Sequence, residues 1–422
     1  MIHVVTGAQW GDEGKGKIVD LFSQKSDITV RFHGGNNAGH TVINSYGTFP
    51  LHLVPSGVFT KKGITCITSG VVLDLEVLTA EIAMLEKVLS NLRKRLLISP
   101  RCHIILPYHK LLDRLYEEAK GKSKTGTTGR GIGPVYADKV SYQGIRLNDF
   151  QDVNRLREKL EIALSIKNKI IRAFGESPLD VEEILQEQMV HYNKIRDMVR
   201  EPMSLLFDAY KKKKTILYEG AQGMFLDNDW GTYPFVTASS TVAGSITASS
   251  GVPAQYINRV TGVTKAYTTR VGSGPFPTEL SDTVGEKLRA VGKEYGATTG
   301  RPRRCGWFDA ELVRFASKVN GFTDLAITKI DVLDSFETIK ICTGYTLKGK
   351  RVSYENLDAY SLAEVRGIYK VMKGWKTPLG DIKKYALLPK EAKVYLLELE
   401  KQTGTKVLTI SVGPNRNQTL YR

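Results

Sequence analysis

Residues 4–18 read Val4-Val5-Thr6-Gly7-Ala8-Gln9-Trp10-Gly11-Asp12-Glu13-Gly14-Lys15-Gly16-Lys17-Ile18, an apolar run that leads into a glycine-rich turn with two lysines and a carboxylate. The apolar spacing then continues as Ile18-Val19-Asp20-Leu21-Phe22, which is typical of a helix. Glycines let backbone N–H groups converge on a phosphate, and the helix that follows adds its positive end. The stretch therefore predicts a phosphate-binding loop between a strand and a helix.

This loop departs from the usual pattern at one position. From Gly11 the letters fit G-x-x-x-x-G-K, but Ile18 stands where a Ser or Thr hydroxyl normally binds magnesium. Asp12, inside the loop, is the candidate replacement ligand. A carboxylate at the centre of a phosphate site indicates catalysis as well as binding.

Short β-branched runs alternate with helical stretches along the whole chain. We predict strands at 2–5, 28–32, 64–67, 215–218, 259–265, 324–328 and 407–410. We predict helices at 75–93, 110–120, 155–172, 181–212 and 307–320. Strands separated by helices imply an α/β fold with a mostly parallel central sheet flanked by helices on both faces. We expect 1–422 to form a single domain, with a charged, glycine-poor helical insertion at about 149–214.

Composition narrows the class of protein. The chain has 422 residues, enough to bury a large core, and a formal charge of +16. Both nucleic acids and small anionic substrates would suit that charge, although the lysine run at 211–214 has the position of a solvated helix end. The four cysteines lie far apart, which indicates neither a disulfide framework nor a zinc site. With no signal-peptide pattern and no long apolar span, we expect a cytoplasmic, soluble protein without a membrane partner.

A second glycine-rich segment follows the strand predicted at 28–32. It reads His33-Gly34-Gly35-Asn36-Asn37-Ala38-Gly39-His40-Thr41. Asn37 can bind an amide-like edge, and His40 can donate a proton near neutral pH. Because open α/β sheets bind ligands at the carboxyl ends of their strands, we interpret these residues as functional.

Two more segments have the composition of ligand-binding loops. Gly126-Thr127-Thr128-Gly129-Arg130-Gly131-Ile132-Gly133-Pro134 offers hydroxyl groups, free N–H groups and an arginine, which suit a phosphate monoester. Glu219-Gly220-Ala221-Gln222-Gly223 follows a predicted strand, and its amide could meet a purine edge or polarise an oxygen. Thr237, shortly afterwards, supplies another hydroxyl.

Three further segments also contain candidate ligand-binding residues. Gly296-Ala297-Thr298-Thr299-Gly300-Arg301-Pro302-Arg303-Arg304 forms a candidate clamp for carboxylates or phosphates, because guanidinium groups bind them bidentately. Thr328-Lys329-Ile330-Asp331 is similar to the N-K-x-D element that reads guanine, with the aspartate accepting from N1–H and the 2-amino group. Ser411-Val412-Gly413-Pro414 follows the last strand and could close the other side of the base.

In this order, and together with Lys265-Ala266-Tyr267-Thr268-Thr269-Arg270-Val271-Gly272 and Pro275-Phe276-Pro277-Thr278-Glu279, these motifs resemble the adenylosuccinate synthetase family over essentially the whole chain. The resemblance implies a variant P-loop GTP-binding fold and a homodimer. It implies a ligase of AMP biosynthesis that joins L-aspartate to IMP through a 6-phosphoryl-IMP intermediate, with GTP as co-substrate and Mg²⁺ as cofactor.

The resemblance also implies roles for individual residues. Catalysis falls to Asp12 as base, His40 as acid, and Lys15 and Gln222 as stabilisers of developing charge. The implied GTP-binding residues are Gly11, Glu13, Gly14, Lys15, Gly16, Lys17, Gly39, His40, Thr41, Arg303, Lys329, Ile330, Asp331, Ser411, Val412 and Gly413. The implied IMP-binding residues are Asp12, Asn37, Ala38, Thr128, Gln222, Thr237 and Arg301. The implied aspartate-binding residues are Thr298, Thr299, Gly300, Arg301 and Arg303, and the implied metal ligands are Asp12 and the Gly39 carbonyl.

One residue departs from the family pattern. After Asp138-Lys139-Val140, the family usually has an arginine that reaches the IMP phosphate of the neighbouring subunit, and this chain has Tyr142. Tyrosine can donate one hydrogen bond but carries no charge. Either Lys139 or Arg146 compensates, or IMP binds more weakly, or a related purine nucleotide is the substrate.

Other classes of protein explain less of the sequence. A GTP-dependent switch would need the guanine reader but neither an IMP pocket nor an arginine clamp. A nucleic-acid-binding protein would leave Asp12, His40 and Asp331 without a role, so we expect no nucleic-acid partner. Within the enzymes, a paralogue that acts on a modified purine nucleotide is the alternative.

Overall fold

A computed structural model describes residues 1–296 and 300–422. The strands within them are β1 (Ile2–Gly7), β2 (Ile28–Arg31), β3 (His40–Asn44), β4 (Gly47–Leu51), β5 (Ile64–Ile67), β6 (Val72–Leu73), β7 (Leu96–Ile98), β8 (His103–Ile104), β9 (Ile216–Glu219), β10 (Ile257–Lys265), β11 (Thr268–Arg270), β12 (Arg304–Gly306), β13 (Phe308–Asp309), β14 (Asp324–Thr328), β15 (Thr338–Leu347), β16 (Lys350–Val352), β17 (Arg366–Lys373), β18 (Val407–Ser411) and β19 (Thr419–Tyr421). The α-helices are α1 (Lys15–Ser23), α2 (Leu75–Glu86), α3 (Leu92–Arg95), α4 (Pro107–Ala119), α5 (Ile132–Val140), α6 (Val153–Ala173), α7 (Val181–Ile195), α8 (Met203–Lys211), α9 (Ser245–Ser250), α10 (Thr283–Gly292), α11 (Ala310–Asn320), α12 (Ala359–Glu364) and α13 (Lys390–Thr403).

A nine-stranded sheet forms the centre of the fold, in the order β19-β18-β14-β10-β1-β9-β2-β5-β7. Every pairing in it is parallel except that of β18 with the edge strand β19. Every residue of β1 is buried, as expected for a central parallel strand covered on both faces. The predicted α/β fold with a mostly parallel sheet is confirmed.

The parallel pairing positions the loops that carry the motifs. Strands β1, β2, β9, β14 and β18 run in the same direction, so their carboxyl ends lie at one edge of the sheet. The segments that follow them are those containing Asp12, Asn37, Gln222, Asp331 and Gly413. Residues that are up to about 400 positions apart in the chain are therefore brought to one edge, which is where open α/β sheets bind ligands.

Helix α1 is held against this sheet by a small apolar face. Ile18 and Val19 are fully buried and pack in a cluster with Val5, Leu217 and Val263. Burying an aliphatic side chain of this size contributes roughly 1.5–3 kcal/mol. The packing fixes the amino-terminal end of α1 beside the loop that follows β1.

The strands agree closely with their predicted positions, but two predicted helices are divided. The helix predicted at 75–93 is interrupted between α2 and α3, and the helix predicted at 181–212 is interrupted between α7 and α8, where Pro202 precedes the first residue of α8. Proline cannot continue a helix from the residues before it because it lacks the N–H and restricts its neighbour. Lys211 ends α8, and the lysines after it are exposed, as predicted.

The helices predicted as an insertion share their core with the sheet region. Leu156 and Leu160 of α6 and Leu185 of α7 belong to the same buried cluster as Leu78 of α2 and Leu96 of β7. A second sheet, formed by β13, β15, β16 and β17, was not predicted. No helix among residues 1–296 and 300–422 is both long and apolar enough to cross a membrane.

Candidate active site

The loop after β1 is shaped by a carboxylate that binds its backbone. Glu13 is fully buried and accepts hydrogen bonds from the N–H groups of Gln9, at 3.1 Å, and Gly11, at 2.9 Å. Its second oxygen lies 2.5 Å from the ammonium group of Lys15. Because the Glu13 side chain is occupied within the loop, we expect any contact of this residue with GTP to come from its backbone.

Asp12 points away from these internal contacts. Its φ is 60°, in the left-handed region, and its side chain is 30% exposed. One carboxylate oxygen lies 2.6 Å from Nε of Arg303, so the loop after β1 and the arginine-rich segment meet at this residue. The predicted base is therefore accessible and is held by an arginine of the predicted aspartate clamp.

His40 lies beside the amino-terminal end of α1. A Cβ atom added to Gly16 would be 3.0 Å from the Cβ of His40, so the absence of a side chain at Gly16 lets β3 approach the helix. His40 Nδ1 is 2.5 Å from Oε1 of Glu219. The other carboxylate oxygen of Glu219, Oε2, accepts a hydrogen bond from the N–H of Ser56. Burial lowers the pKa of His40 below its usual value, although hydrogen bonding to Glu219 opposes this shift. The bond at Nδ1 leaves Nε2 as the ring atom for a ligand.

Three of the predicted IMP-binding residues form a hydrogen-bonded chain. The Gln222 amide donates to Asn37 Oδ1 at 3.0 Å, and the Asn37 amide donates to Thr237 Oγ1 at 3.2 Å. Gln222 Oε1 is buried and has no partner among the described residues. The backbone of Gln222 also packs on the phosphate loop, since a Cβ atom on Gly11 would be 3.6 Å from the Cα of Gln222. The hydrogen-bonded chain of Gln222, Asn37 and Thr237 therefore lies next to the phosphate loop.

The predicted guanine-reading element, residues 328–331, contacts the phosphate loop directly. Thr328 Oγ1 donates to the carbonyl of Glu13 at 2.5 Å. Asp331 Oδ1 is buried without a hydrogen-bond partner among the described residues, and burial raises the pKa of this carboxyl. An unpartnered buried acceptor costs free energy unless a ligand donates to it, as the N1–H and 2-amino groups of guanine can.

Two lysines join segments of the predicted nucleotide site to their neighbours. Lys17 of α1 donates to Ser411 Oγ at 2.7 Å and to the Gly413 carbonyl at 2.6 Å, so the last segment is tied to the phosphate-loop helix. Burial lowers the pKa of Lys17 to about 7. Lys329 donates to the carbonyl of Gly292 at 2.6 Å. Its second acceptor is Glu294 Oε1, at 2.8 Å.

Other predicted binding residues differ in their exposure to solvent. Thr41, Thr128, Gly300 and Arg301 are exposed, whereas Ala38 is buried. Thr298 and Thr299, predicted to bind aspartate, lie outside the described residues.

Tyr142, the residue that departs from the family pattern, is 98% exposed. It borders a cavity of about 550 Å³ that is also lined by Lys139 and Arg146, the two residues considered as replacements for the missing arginine. No salt bridge to a carboxylate involves Lys139 or Arg146 within the described part of the chain. The positive charge expected near this position is therefore present, although not at Tyr142 itself.

Sequence reasoning missed two buried carboxylates that organise the site. The sequence motifs assign no role to Glu219, and Glu294 lies outside them. A glutamate next to glycines or basic residues is not distinctive in sequence. Only the fold shows that Glu219 binds His40 and that Glu294 binds Lys265, Arg303 and Lys329.

Comparisons with known proteins agree with this geometry. The adenylosuccinate synthetase family model matches residues 4–420. Adenylosuccinate synthetases of Clostridium novyi (strain NT) and Nitratidesulfovibrio vulgaris (strain DP4) are 46% and 47% identical to the chain, covering 99% of it and 98% and 99% of the relatives. The chain belongs to the adenylosuccinate synthetase family. A solved, fully ligated adenylosuccinate synthetase from Plasmodium falciparum matches with a TM-score of 0.94 and 36% identity, over 100% of this chain and 99% of that chain.

Family membership confirms the predicted reaction. The chain is a GTP-dependent ligase of AMP biosynthesis that converts IMP, L-aspartate and GTP to adenylosuccinate, GDP and phosphate. A succinoaminodeoxyadenylate synthetase from cyanophage S-2L shares the fold, with a TM-score of 0.63 and 18% identity over 100% of this chain and 95% of that chain. The much higher identity to adenylosuccinate synthetases does not favour the alternative of a paralogue acting on a modified purine nucleotide.

Proposed function

We propose that Asp12 is the base of this adenylosuccinate synthetase. Removal of the N1 proton of IMP leaves negative charge on O6, which attacks the γ-phosphorus of GTP and releases GDP. The phosphate on C6 is then a good leaving group, so the amine of aspartate displaces it to form adenylosuccinate. The observation that supports Asp12 most directly is its position: its accessible carboxylate lies in the phosphate loop, whose Gly11 is packed against Gln222, and contacts Arg303 of the clamp.

The other catalytic roles follow from charge and hydrogen bonding. Lys15 and the N–H groups at the start of α1 stabilise the charge on the transferring phosphoryl group. Gln222, whose amide is anchored on Asn37, stabilises the charge that develops on O6. His40 serves as the acid that assists departure of phosphate from C6, and Glu219 at Nδ1 sets the orientation of its ring.

We propose that the three substrates occupy adjoining parts of the site. The unpartnered oxygen of Asp331 supports guanine at this position, with Lys329 and the 411–413 segment beside the base. The hydrogen-bonded chain of Gln222, Asn37 and Thr237 supports the proposal that IMP binds beside these three residues. Together with Thr128, Ala38 and Arg301 it would bind the IMP base and phosphate. Aspartate would lie in the segment that contains Thr298, Thr299, Gly300, Arg301 and Arg303.

The residues present also fit a magnesium ion. Mg²⁺ prefers oxygen ligands and keeps several waters and substrate phosphates in its coordination shell, so few protein ligands are needed. The accessible Asp12 carboxylate and the half-buried Gly39 carbonyl are hard oxygen donors of the required kind. They would hold Mg²⁺, which when bound offsets negative charge on the phosphates.

Family membership also supports a proposal for assembly and location. We infer a cytoplasmic homodimer, in which the cationic cavity beside Tyr142 faces the IMP phosphate of the partner. Lys139 and Arg146 then supply the charge that the tyrosine lacks.

Substitution of Asp12 by asparagine tests the proposed mechanism. Asp12→Asn removes the base while keeping the size of the side chain, so turnover should fall by about 10²–10⁴-fold, the usual contribution of a general base. GTP binding, measured by calorimetry, should persist. Asp208→Asn, an exposed change on α8, is the matched control and should leave turnover unaltered. Turnover of Asp12→Asn at the wild-type rate would exclude Asp12 as the base.

A further inference from the structure

Glu294, which follows α10, is fully buried and sits among three cationic side chains. Its carboxylate lies 2.9 Å from the ammonium group of Lys265, 2.8 Å from that of Lys329 and 2.7 Å from Nη1 of Arg303. The Tyr267 hydroxyl donates to it at 2.5 Å. Four donors therefore converge on one carboxylate inside the protein.

In this cluster, the Glu294 carboxylate supplies the negative charge that pairs with the three cations. Burial alone would raise the pKa of the Glu294 carboxyl, but Lys265, Lys329 and Arg303 together hold it well below its usual range. Lys265 is also fully buried, and burial lowers its pKa to about 8. Removing one partner from a buried charged cluster leaves uncompensated charge, so Glu294 is needed to keep the cations in place.

Two of these cations belong to different parts of the site. Lys329 lies two residues before Asp331 in the guanine-reading element. Arg303 also contacts Asp12 at 2.6 Å, in the phosphate loop. An unbroken series of contacts thus runs from Lys329 through Glu294 and Arg303 to Asp12.

We propose that Glu294 is a positioning residue that couples binding of the guanine base to binding of aspartate. Glu294 sets the position of Lys329 on one side and of Arg303 on the other, so a ligand that orders one of these cations favours the arrangement needed by the other. Such coupling is reciprocal: a guanine nucleotide strengthens aspartate binding by the same factor as aspartate strengthens nucleotide binding. This inference rests on the proposed roles of Lys329 and Arg303.

Glu294→Gln tests the coupling, because glutamine keeps the shape of the side chain and loses its charge. The KM values for GTP and aspartate should both rise by about tenfold, a typical size for a coupling effect, while the KM for IMP changes less than about twofold. The affinity for GDP, measured by calorimetry in the presence of IMP, should no longer increase on addition of aspartate. Glu286→Gln is the matched control: Glu286 is an exposed carboxylate in the first turn of α10, outside the cluster, and all three KM values should stay as in the wild type.

Each outcome bears on the proposal. Unchanged KM values in a folded Glu294→Gln variant, or equal rises for all three substrates, would overturn it. If that variant does not fold, Tyr267→Phe removes one hydrogen bond to Glu294 and retains the charge; it should raise the same two KM values by a smaller factor, and no selective rise would overturn the coupling. Wild-type turnover of Asp12→Asn would instead contradict the proposed mechanism, so the two failures are distinguishable.

Discussion

Three proposed site residues adopt backbone conformations that residues other than glycine normally avoid. The φ angles of Asp12, Gln222 and Lys329 are 60°, 51° and 55°. The left-handed region costs an L-residue roughly 1–2 kcal/mol, so it persists only where surrounding contacts require it. Here those contacts are Arg303 for Asp12, Asn37 for Gln222 and Glu294 for Lys329. These three conformations are therefore supported by contacts within the protein.

At the residue scale, we propose that Asp331 determines which nucleotide is used. Asp331→Asn replaces an acceptor with an amide that presents a donor to the guanine N1–H and 2-amino groups. Losing two charge-assisted hydrogen bonds, at roughly 1.5 kcal/mol each, should lower kcat/KM for GTP by about 100-fold. Xanthosine triphosphate, which offers a carbonyl in place of the 2-amino group, should become the better substrate. Steady-state kinetics with both nucleotides would measure this, and an unchanged preference for GTP would show that Asp331 does not read the base.

At the scale of elements, the close approach of α1 and β3 determines how the proposed site residues on these two elements are placed relative to one another. Lys15 starts the helix and His40 starts the strand, and Gly16 lets them meet. Lys17 further joins α1 to the segment after β18. The strand β3 and the segment after β18 are thus both held against α1.

Gly16→Ala tests this approach. A Cβ atom would lie 3.0 Å from the Cβ of His40, so β3 must shift by a few tenths of an ångström. Because misplacement by about 1 Å can cost about 100-fold in rate, we expect kcat to fall by about tenfold. In the control Gly244→Ala, just before α9, the added Cβ meets no atom within 4 Å and the backbone φ is −59°, so this variant should keep kcat. Equal kcat values for the two variants would contradict the argument.

The elements also show how far sequence reasoning reaches. The strand at 64–67 was predicted with the observed bounds because it is short, β-branched and flanked by turn residues. The interruption between α2 and α3 was missed, since residues 87–91 contain no proline or glycine to mark it. The phosphate loop and the guanine reader can be proposed from the sequence because their residues are neighbours in the chain. Glu294 cannot, because its partners lie 29, 9 and 35 positions away and only the fold brings them together.

At the scale of the whole molecule, the parallel sheet brings together the segments of the proposed site, which are spread along the chain. Lys17 and Gly413 are separated by 396 positions yet are hydrogen-bonded. Stability of the sheet and integrity of the site are therefore linked: a change in β1 or its neighbours affects both.

Stability should depend on pH through His3 of β1. Burial lowers the pKa of His3 to about 4, whereas an unfolded histidine titrates near about 6.5. Between these values the unfolded chain binds more protons, so the free energy of unfolding decreases as the pH falls. From about pH 7 to about pH 5 the loss should be about 2 kcal/mol, and His3→Gln should remove that contribution. Urea unfolding of both chains at the two pH values measures the difference, and identical losses in the two chains would contradict the assignment.

The most direct test of the account is the formation of adenylosuccinate, followed by its ultraviolet absorbance. IMP, L-aspartate, GTP and Mg²⁺ are each omitted in turn, and ATP is substituted for GTP. We expect product only when all four are present, and none with ATP, because the proposed partners of the buried Asp331 Oδ1 are guanine groups that adenine does not offer. Product formation with ATP at the rate seen with GTP, or its absence in a folded chain that still binds GTP, would contradict the account.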